Sequence, residues 1–418
     1  MCKTTTPPRP AVQNTIRTLP PNTTAGAVIA LQAYLAKYTT QFVNDLIPTT
    51  LPTFPPDLPD PLAYKRVAFA LLPLRANAVS PYYGGIFDED MDFSASLVKM
   101  AALFAAGQLL AAAKAALPAA ANSASFFSSF NAAIQAEITA NADDRVKNAH
   151  YPSGGIPIGL LPKMTNILKV ANVGTSSASV SFTTSFNTNL SQMIVQSLDP
   201  ASGVVIDRLG LGYISAALNE KGFFRKTLTP GPSRTGATGR GIWLTADYDH
   251  HTIVRIPCIN DHDDAQLTTA HQMCVLFSKI RLKQLPDTDL ATNTLMQNLL
   301  NEPKPGGTTP WLSPSRGPGV APRFDILQDK IGFAGLGTAQ TPNVYSEGLI
   351  IKWKDTSQVD TFNNKIDPGN AHPNIRLSGE IAVCWQNLLA DDLGATPFDG
   401  VIEVLNNSIS DFLDQKTV

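Results

Sequence analysis

The chain is short of charge and of cysteine, and both shortages narrow what it can be. Only 16% of its 418 residues are Asp, Glu, Lys or Arg, with a formal net charge of -2. So weak a field, with no block of Lys and Arg, leaves no footprint for nucleic acid or acidic lipid. The four cysteines, Cys2, Cys258, Cys274 and Cys384, are scattered and make no Cys-x-x-Cys pair, so no disulfide framework is expected. There is no Gly-x-Ser-x-Gly elbow of the ordinary α/β-hydrolase kind. The glycine-rich stretch Gly231 to Gly241 lacks the Lys-Ser/Thr ending of a phosphate loop and reads as a flexible connection. No apolar run is long enough for a bilayer: Met100 to Ala113 contains Gln108 and is bounded by Lys99 and Lys114, so a buried helix is expected and no transmembrane segment. The N-terminus shows no apolar core before a cleavage site, so no secretory leader is read. Cys2 followed by a Thr/Pro-rich stretch also fits the start of a processed lipoprotein, though an ordinary flexible start is the simpler reading.

What is present is apolar mass. At 44% hydrophobic the chain can bury a large core, as one large domain or two smaller ones. Residues Ala25 to Ile47 carry Val28, Leu31, Leu35, Phe42, Val43, Leu46 and Ile47 at helical spacing. The proline-rich stretch Pro48 to Pro61 cannot continue that helix and marks a boundary. Arg66 to Leu74 reads as a buried strand. Helical patterns then dominate: Met100 to Leu117, Asn131 to Ala140, Asn189 to Gln196, Val204 to Leu218 and Thr268 to Leu282. Ser176 to Thr188, rich in Ser, Thr and Asn, reads as a loop. After Glu302 to Arg323 the period changes to that of strands. Ile331 to Leu336, Gly348 to Lys354 and Ile375 to Trp385 form an expected antiparallel meander, with Asp367-Pro368-Gly369-Asn370 helping to turn the chain before the last. Val401 to Leu413 is an amphipathic closing helix. The fold class is therefore α/β in the α+β sense, an antiparallel sheet flanked by helices with an inserted helical subdomain. Residues 1–60 are read as an N-terminal helix and linker and 61–418 as one domain, its α/β part formed by 61–95 and 320–418 and its mainly helical part by 96–319.

Chemistry concentrates at Asp92-Phe93-Ser94-Ala95-Ser96-Leu97-Val98-Lys99, where a polar turn enters an apolar helix. Asp92 or Ser94 can cap that helix, which puts Ser96 in the first turn, where free N–H groups favour developing negative charge. Lys99 is one turn on, on the same face. A serine becomes a nucleophile when a base takes its proton, and a lysine in an apolar helix is pushed towards its neutral form. Ser-x-x-Lys therefore supplies both partners, although the spacing alone also describes a helix-starting serine and a snorkelling lysine.

Two further segments give it context. Ser197-Leu198-Asp199-Pro200 falls between two helices, and Lys330-Ile331-Gly332-Phe333 opens the first late strand. In this order, on helix, inter-helix loop and strand, the three resemble the motifs of the penicillin-recognising serine hydrolases, β-lactamases and D,D-peptidases, over roughly residues 62–415. Val205 to Gly210 resembles that family's following helix, and Gln266 to Ala270 its threonine-capped helix before the third motif.

The resemblance implies an acylated Ser96 with Lys99 as its proton acceptor and Ser197 as a proton relay to the leaving group. Lys330 would bind a substrate carboxylate and steady Ser197, and the N–H groups of Ser96 and Phe333 would form an oxyanion hole. Asp199, Gly332 and Phe333 are thereby read with Lys330 as the substrate-binding set. The implied substrate is a small molecule or peptide with a carboxylate, a peptidoglycan peptide or a β-lactam, with no cofactor and no metal. The family usually works outside the cytoplasm. Departures are specific: Asp199 stands where asparagine is usual and could stabilise a charged Lys99, and Ile331 stands where a hydroxyl residue is usual. No Glu-x-x-Leu-Asn follows the second motif, so fast β-lactam hydrolysis is not expected. The alternative reading is a decayed relative serving as a binding or structural module.

Asp247-Tyr248-Asp249-His250-His251 and Asp261-His262-Asp263-Asp264 are the carboxylate/histidine clusters, falling where the family places its active-site loop. A solvated loop is the first reading, a deacylation base at Asp249 or Asp261 the second, and a metal site the third. His150, His271 and His372 stand singly and read as satisfied or exposed.

Overall fold

A computed structural model describes residues 31–50, 66–76, 78–79, 82–151, 158–225, 239–248, 252–260, 264–335, 343–366, 376–390 and 395–416. Its centre is an antiparallel sheet built from both ends of the chain. The early strand β1 (Ala68–Arg75) lies beside the late strands, in the order β5 (Phe324–Gly335), β6 (Asn343–Trp353), β7 (Leu377–Ala390), β1, with the short strands Ala78–Val79 and Gly84–Ile86 also paired to β1. The expected α+β architecture is present, with helices on both faces.

Period-two alternation sorts the strand residues between two cores. Ala68, Ala70, Ala382 and Cys384 point into one, and Phe69, Leu71, Val383 and Trp385 into the other. The small side chains Ala68, Ala70, Ala382 and Cys384 on the first face let helix α7 (Ala270–Arg281) pack closely. A Cβ at Gly348 would run into the Phe277 ring. The large side chains on the second face meet the terminal helices α1 (Leu31–Thr50) and α10 (Ala395–Asp414), where Tyr34, Leu35, Val401, Ile402, Leu405 and Ile409 are buried.

The helical region is layered on the first core. Helix α2 (Met100–Ala116) is its axis, with Met100 to Ala106 fully buried, surrounded by α3 (Ser123–Asn141), α4 (Thr184–Ser191), α5 (Asp199–Leu209), α6 (Leu211–Glu220) and α8 (Leu290–Leu300). The helical stretch Ala95–Ala119 has the length and hydropathy of a membrane span, yet 78% of its apolar window is buried inside the fold. A helix so enclosed has no lipid-facing side, as expected for a core helix.

Several sequence expectations change here. The single helix expected over Val204 to Leu218 is two, α5 and α6, bent by 78° at Gly210, whose φ of 75° suits glycine. A Cβ at Gly210 would press on the Leu160 and Leu161 backbone, so the next segment packs into the bend. Ser176 to Thr188 is not a loop throughout. Ser179–Phe182 pairs with Leu168–Ala171, and Thr183 caps α4 by accepting from the Phe186 N–H. A further helix, α9 (Thr356–Ile366), stands between the second and third meander strands. The turn read at Asp367 to Asn370, nearly all of the proline-rich stretch, most of Gly231 to Gly241, and His372 lie outside the described residues.

Candidate active site

The segment before Ser96 is held from both sides. Strand β2 (Asp92–Phe93) pairs with β4 (Gln266–Thr268), which also pairs with β3 (Trp243–Leu244). The buried Asn260 amide mimics one more strand, accepting from the Phe93 N–H at 2.8 Å and donating to the Phe93 carbonyl at 3.1 Å. Residues Ala95–Lys99 then form a 3₁₀ turn that continues into α2. Neither expected cap operates. Ser94 is at the N-cap position without a side-chain cap bond, and Asp92 is buried in β2 with no hydrogen bond to its carboxyl among the described residues. Burial, with the Asp90 charge nearby, raises the Asp92 pKa well above the carboxylate range and so favours its neutral form.

Edge strand β5 closes against this turn. A Cβ on Gly332 would overlap the Ser94 carbonyl and the Ser346 hydroxyl and press on the Leu97 nitrogen. Glycine lets strand and turn approach, and Ser346 Oγ donates to the Ser94 carbonyl at 2.8 Å. Phe333, the next residue, has its side chain 43% exposed.

The third wall is the α4–α5 connection. A π-helical turn, Gln192–Gln196, ends at Ser197 with φ 59° and ψ 27°. This left-handed conformation sends the chain into α5, whose first residue is Asp199. Ala95 (φ 50°) and Tyr248 (φ 61°) also have positive φ. Each such non-glycine residue costs on the order of 1–3 kcal/mol and persists because its surroundings hold it.

Between these walls sit two fully buried lysines. Lys99 Nζ donates to the Ser197 carbonyl at 2.7 Å and to Asp199 Oδ1 at 2.6 Å, and lies 4.8 Å from the Tyr248 ring centroid. Lys330 Nζ donates to Ser197 Oγ at 2.7 Å and to the Ile331 carbonyl at 2.9 Å. Ser197 thus touches both lysines, one through its carbonyl and one through its hydroxyl. Burial lowers the Lys99 pKa, and the Asp199 carboxylate opposes that shift. Lys330 is driven well below the ordinary lysine range, first by burial and then by the charges of Lys99 and Lys304. Among the described residues, the Ser96 hydroxyl makes no hydrogen bond. The Lys99 ammonium is directed to Ser197 and Asp199 instead.

Behind Lys330 is a buried ionic layer that sequence reasoning missed. Lys304 Nζ donates to the Asp329 carbonyl at 2.7 Å, touches the Asp329 carboxylate, and lies 3.1 Å from Glu302. Glu347 accepts from the Trp311 N–H at 2.9 Å. Isolated charges in a polar, Pro/Gly-rich segment such as Glu302-Pro303-Lys304 carry no local signal of burial; only the partner strand reveals it.

The structure thus brings Lys99, Ser197, Asp199 and Lys330 into direct contact and packs Gly332 against the turn bearing Ser96. Of the loop clusters, Tyr248 reaches this group, Asp264 caps the Ala265 and Gln266 N–H groups, and Asp249 and Asp261 lie outside the described residues. His150 is exposed, whereas His271 is buried, its Nδ1 2.6 Å from Glu89. Asp88, Glu89 and His271 are close enough to share a cation, but their contacts already go to each other and to the Tyr83 hydroxyl, which binds Asp88.

No protein-family model matches the chain, and no curated protein does. Among solved structures the chain is similar to β-lactamases. One from Chitinophaga pinensis DSM 2588 is 11% identical over 89% of this chain and 98% of its own, with a TM-score of 0.43. Another, from Desulfarculus baarsii DSM 2075, is 14% identical over 90% and 98%, with a TM-score of 0.41. The class A enzyme from Clostridium kluyveri DSM 555 is 12% identical over 89% and 98%, with a TM-score of 0.40.

Proposed function

We propose that the chain is a serine acyl-transfer enzyme of the β-lactamase/D,D-peptidase type, acting through an acyl-Ser96 intermediate on an amide or ester near a carboxylate. Peptidoglycan peptides and β-lactams have that chemistry. The domain of 61–418 would carry the activity, with helix α1 from the segment before it packed on its sheet. The observation that carries the proposal is Ser197 in contact with both Lys99 and Lys330, which come from segments about a hundred residues and more away.

In this reading neutral Lys99 takes the Ser96 proton as Oγ attacks the carbonyl carbon. The N–H groups of Ser96 and Phe333 receive the oxyanion. Ser197, steadied by Lys330, passes a proton to the leaving nitrogen or oxygen as its bond to the acyl carbon breaks, and takes in exchange the proton that Lys99 had accepted from Ser96, so that Lys99 is neutral again. Lys330, with Gly332 and Phe333, binds the substrate's carboxylate end. Water then cleaves the ester, returning the proton to Ser96. Asp199 tempers the first step, because a carboxylate at 2.6 Å favours the charged form of Lys99, which is no base. With no Glu-x-x-Leu-Asn element, deacylation is the slow half-reaction and the acyl-enzyme accumulates.

The test is labelling with a fluorescent penicillin. A stable fluorescent band on the parent, absent from Ser96→Ala, supports the reading. An unlabelled parent that leaves the drug intact would sink it for β-lactams and favour a binding module.

A further inference from the structure

Tyr248 has no role in the scheme above, yet three features set it apart. It follows β3 in a loop closed by the Ala246–Thr252 bridge, and the loop carries its ring over Lys99, 4.8 Å from Nζ to the ring centroid. The face of an aromatic ring attracts a cation, more strongly where water is excluded, and Lys99 is fully buried. Its φ of 61° is a left-handed backbone that a large aromatic residue rarely takes, so the loop is held in that shape. Finally, its hydroxyl is buried with no hydrogen bond among the described residues. Burial, with the Asp199 and Asp264 carboxylates nearby, keeps that hydroxyl protonated, so Tyr248 is not a base. Its contribution comes from the ring.

We propose that Tyr248 is a positioning residue for Lys99, its ring face seating the ammonium head against Ser197 and Asp199 in the resting enzyme. The link to catalysis rests on Lys99 being the proton acceptor for Ser96. The charged groups around the head are the Asp199 carboxylate, from the start of α5, and the Lys330 ammonium, from β5. Asp199 and the ring favour the cation, while burial opposes it. Removing the ring face makes Lys99 give up its proton more readily, and the pH at which acylation begins moves to lower values.

Two readouts test this. The first is the titration of Lys99 by NMR of lysine labelled with ¹³C at Cε, its signal assigned by loss in Lys99→Met. Tyr248→Phe keeps the ring and titrates as the parent does. Tyr248→Leu titrates lower by about one and a half pH units, the scale of a desolvated cation–ring contact. Pentafluorophenylalanine at position 248 keeps the shape while reversing the charge of the ring face, and it shifts the midpoint the same way even if Tyr248→Leu folds poorly. An unchanged midpoint in the fluorinated protein overturns the proposal. The second readout is the pH dependence of penicillin labelling, whose rising limb follows the Lys99 midpoint across the series. If the parent is not labelled at any pH, the acyl-serine reading fails, and the titration still decides the role of Tyr248.

Discussion

The two sides of the sheet are built on different physics. Behind it, α1 and α10 meet Phe69, Leu71, Val383 and Trp385 in an apolar layer whose strength is the sum of many small burials. At its front edge, β5, the Ser96 turn, Ser197 and Tyr248 enclose two buried lysines, and a few distances decide what the group can do. Losing a side chain from the first region lowers stability in proportion to its volume. Moving an atom in the second changes reactivity with little loss of mass from the core.

The sharpest way to separate the regions starts behind the sheet. Leu405 is fully buried on α10, and Leu405→Ala costs about 2–5 kcal/mol of stability in urea unfolding. Penicillin labelling per folded molecule is unchanged; a collapse of labelling at temperatures where the variant is folded would show that the regions are coupled. Gly332→Ala does the reverse. Its new methyl group overlaps the Ser94 carbonyl and pushes strand and turn apart, and a displacement near 1 Å lowers the acylation rate about 100-fold, read as the second-order labelling constant.

Asp92 tests the boundary between the regions, because it is buried beside the turn yet contributes as an interior acid. Its folded pKa is raised far above the unfolded value of 3.8, so the folded state keeps a proton that the unfolded chain has lost. Stability present below the unfolded pKa is therefore lost as pH rises above it, by about 1.4 kcal/mol per pH unit from this group. Asp92→Asn removes that slope, and comparing urea unfolding at two pH values a unit or more apart, both above 4, shows the variant gaining on the parent at the higher one. Asp199→Asn gives the smallest change. Loss of the carboxylate lowers the Lys99 pKa, and the labelling-against-pH curve moves to lower pH. A curve that moves upward or stays would mean that Asp199 does not hold the Lys99 charge.

The same contrast explains what could be read in advance. Periodic apolar segments such as Met100 to Leu117 and Val401 to Leu413 announced their elements because burial repeats with the helix or strand period. The order of Ser96-x-x-Lys99, Ser197 to Asp199 and Lys330 to Gly332 along the chain singled out segments that the structure brings together, Lys99, Ser197, Asp199 and Lys330 being in contact. Three features were not legible: the break at Gly210, the cage of Asn260 around Phe93, and the Lys304–Asp329 contact. Each depends on a partner distant in sequence. The Tyr248 ring lies in a segment whose carboxylates and histidines are its visible signal, and a ring face over a cation has no sequence period.

The central claim is that Ser96 is the acylated atom, and the most direct measurement is peptide-level mass spectrometry after penicillin treatment and tryptic digestion. Residues 76–99 form the tryptic peptide that carries Ser96. The account predicts one drug mass added to that peptide, localised to Ser96 by fragmentation, and no added mass on the longer peptide, residues 76–114, that Lys99→Ala yields because its tryptic site at 99 is lost. A drug mass on any other residue, or labelling that survives Ser96→Ala, would contradict it.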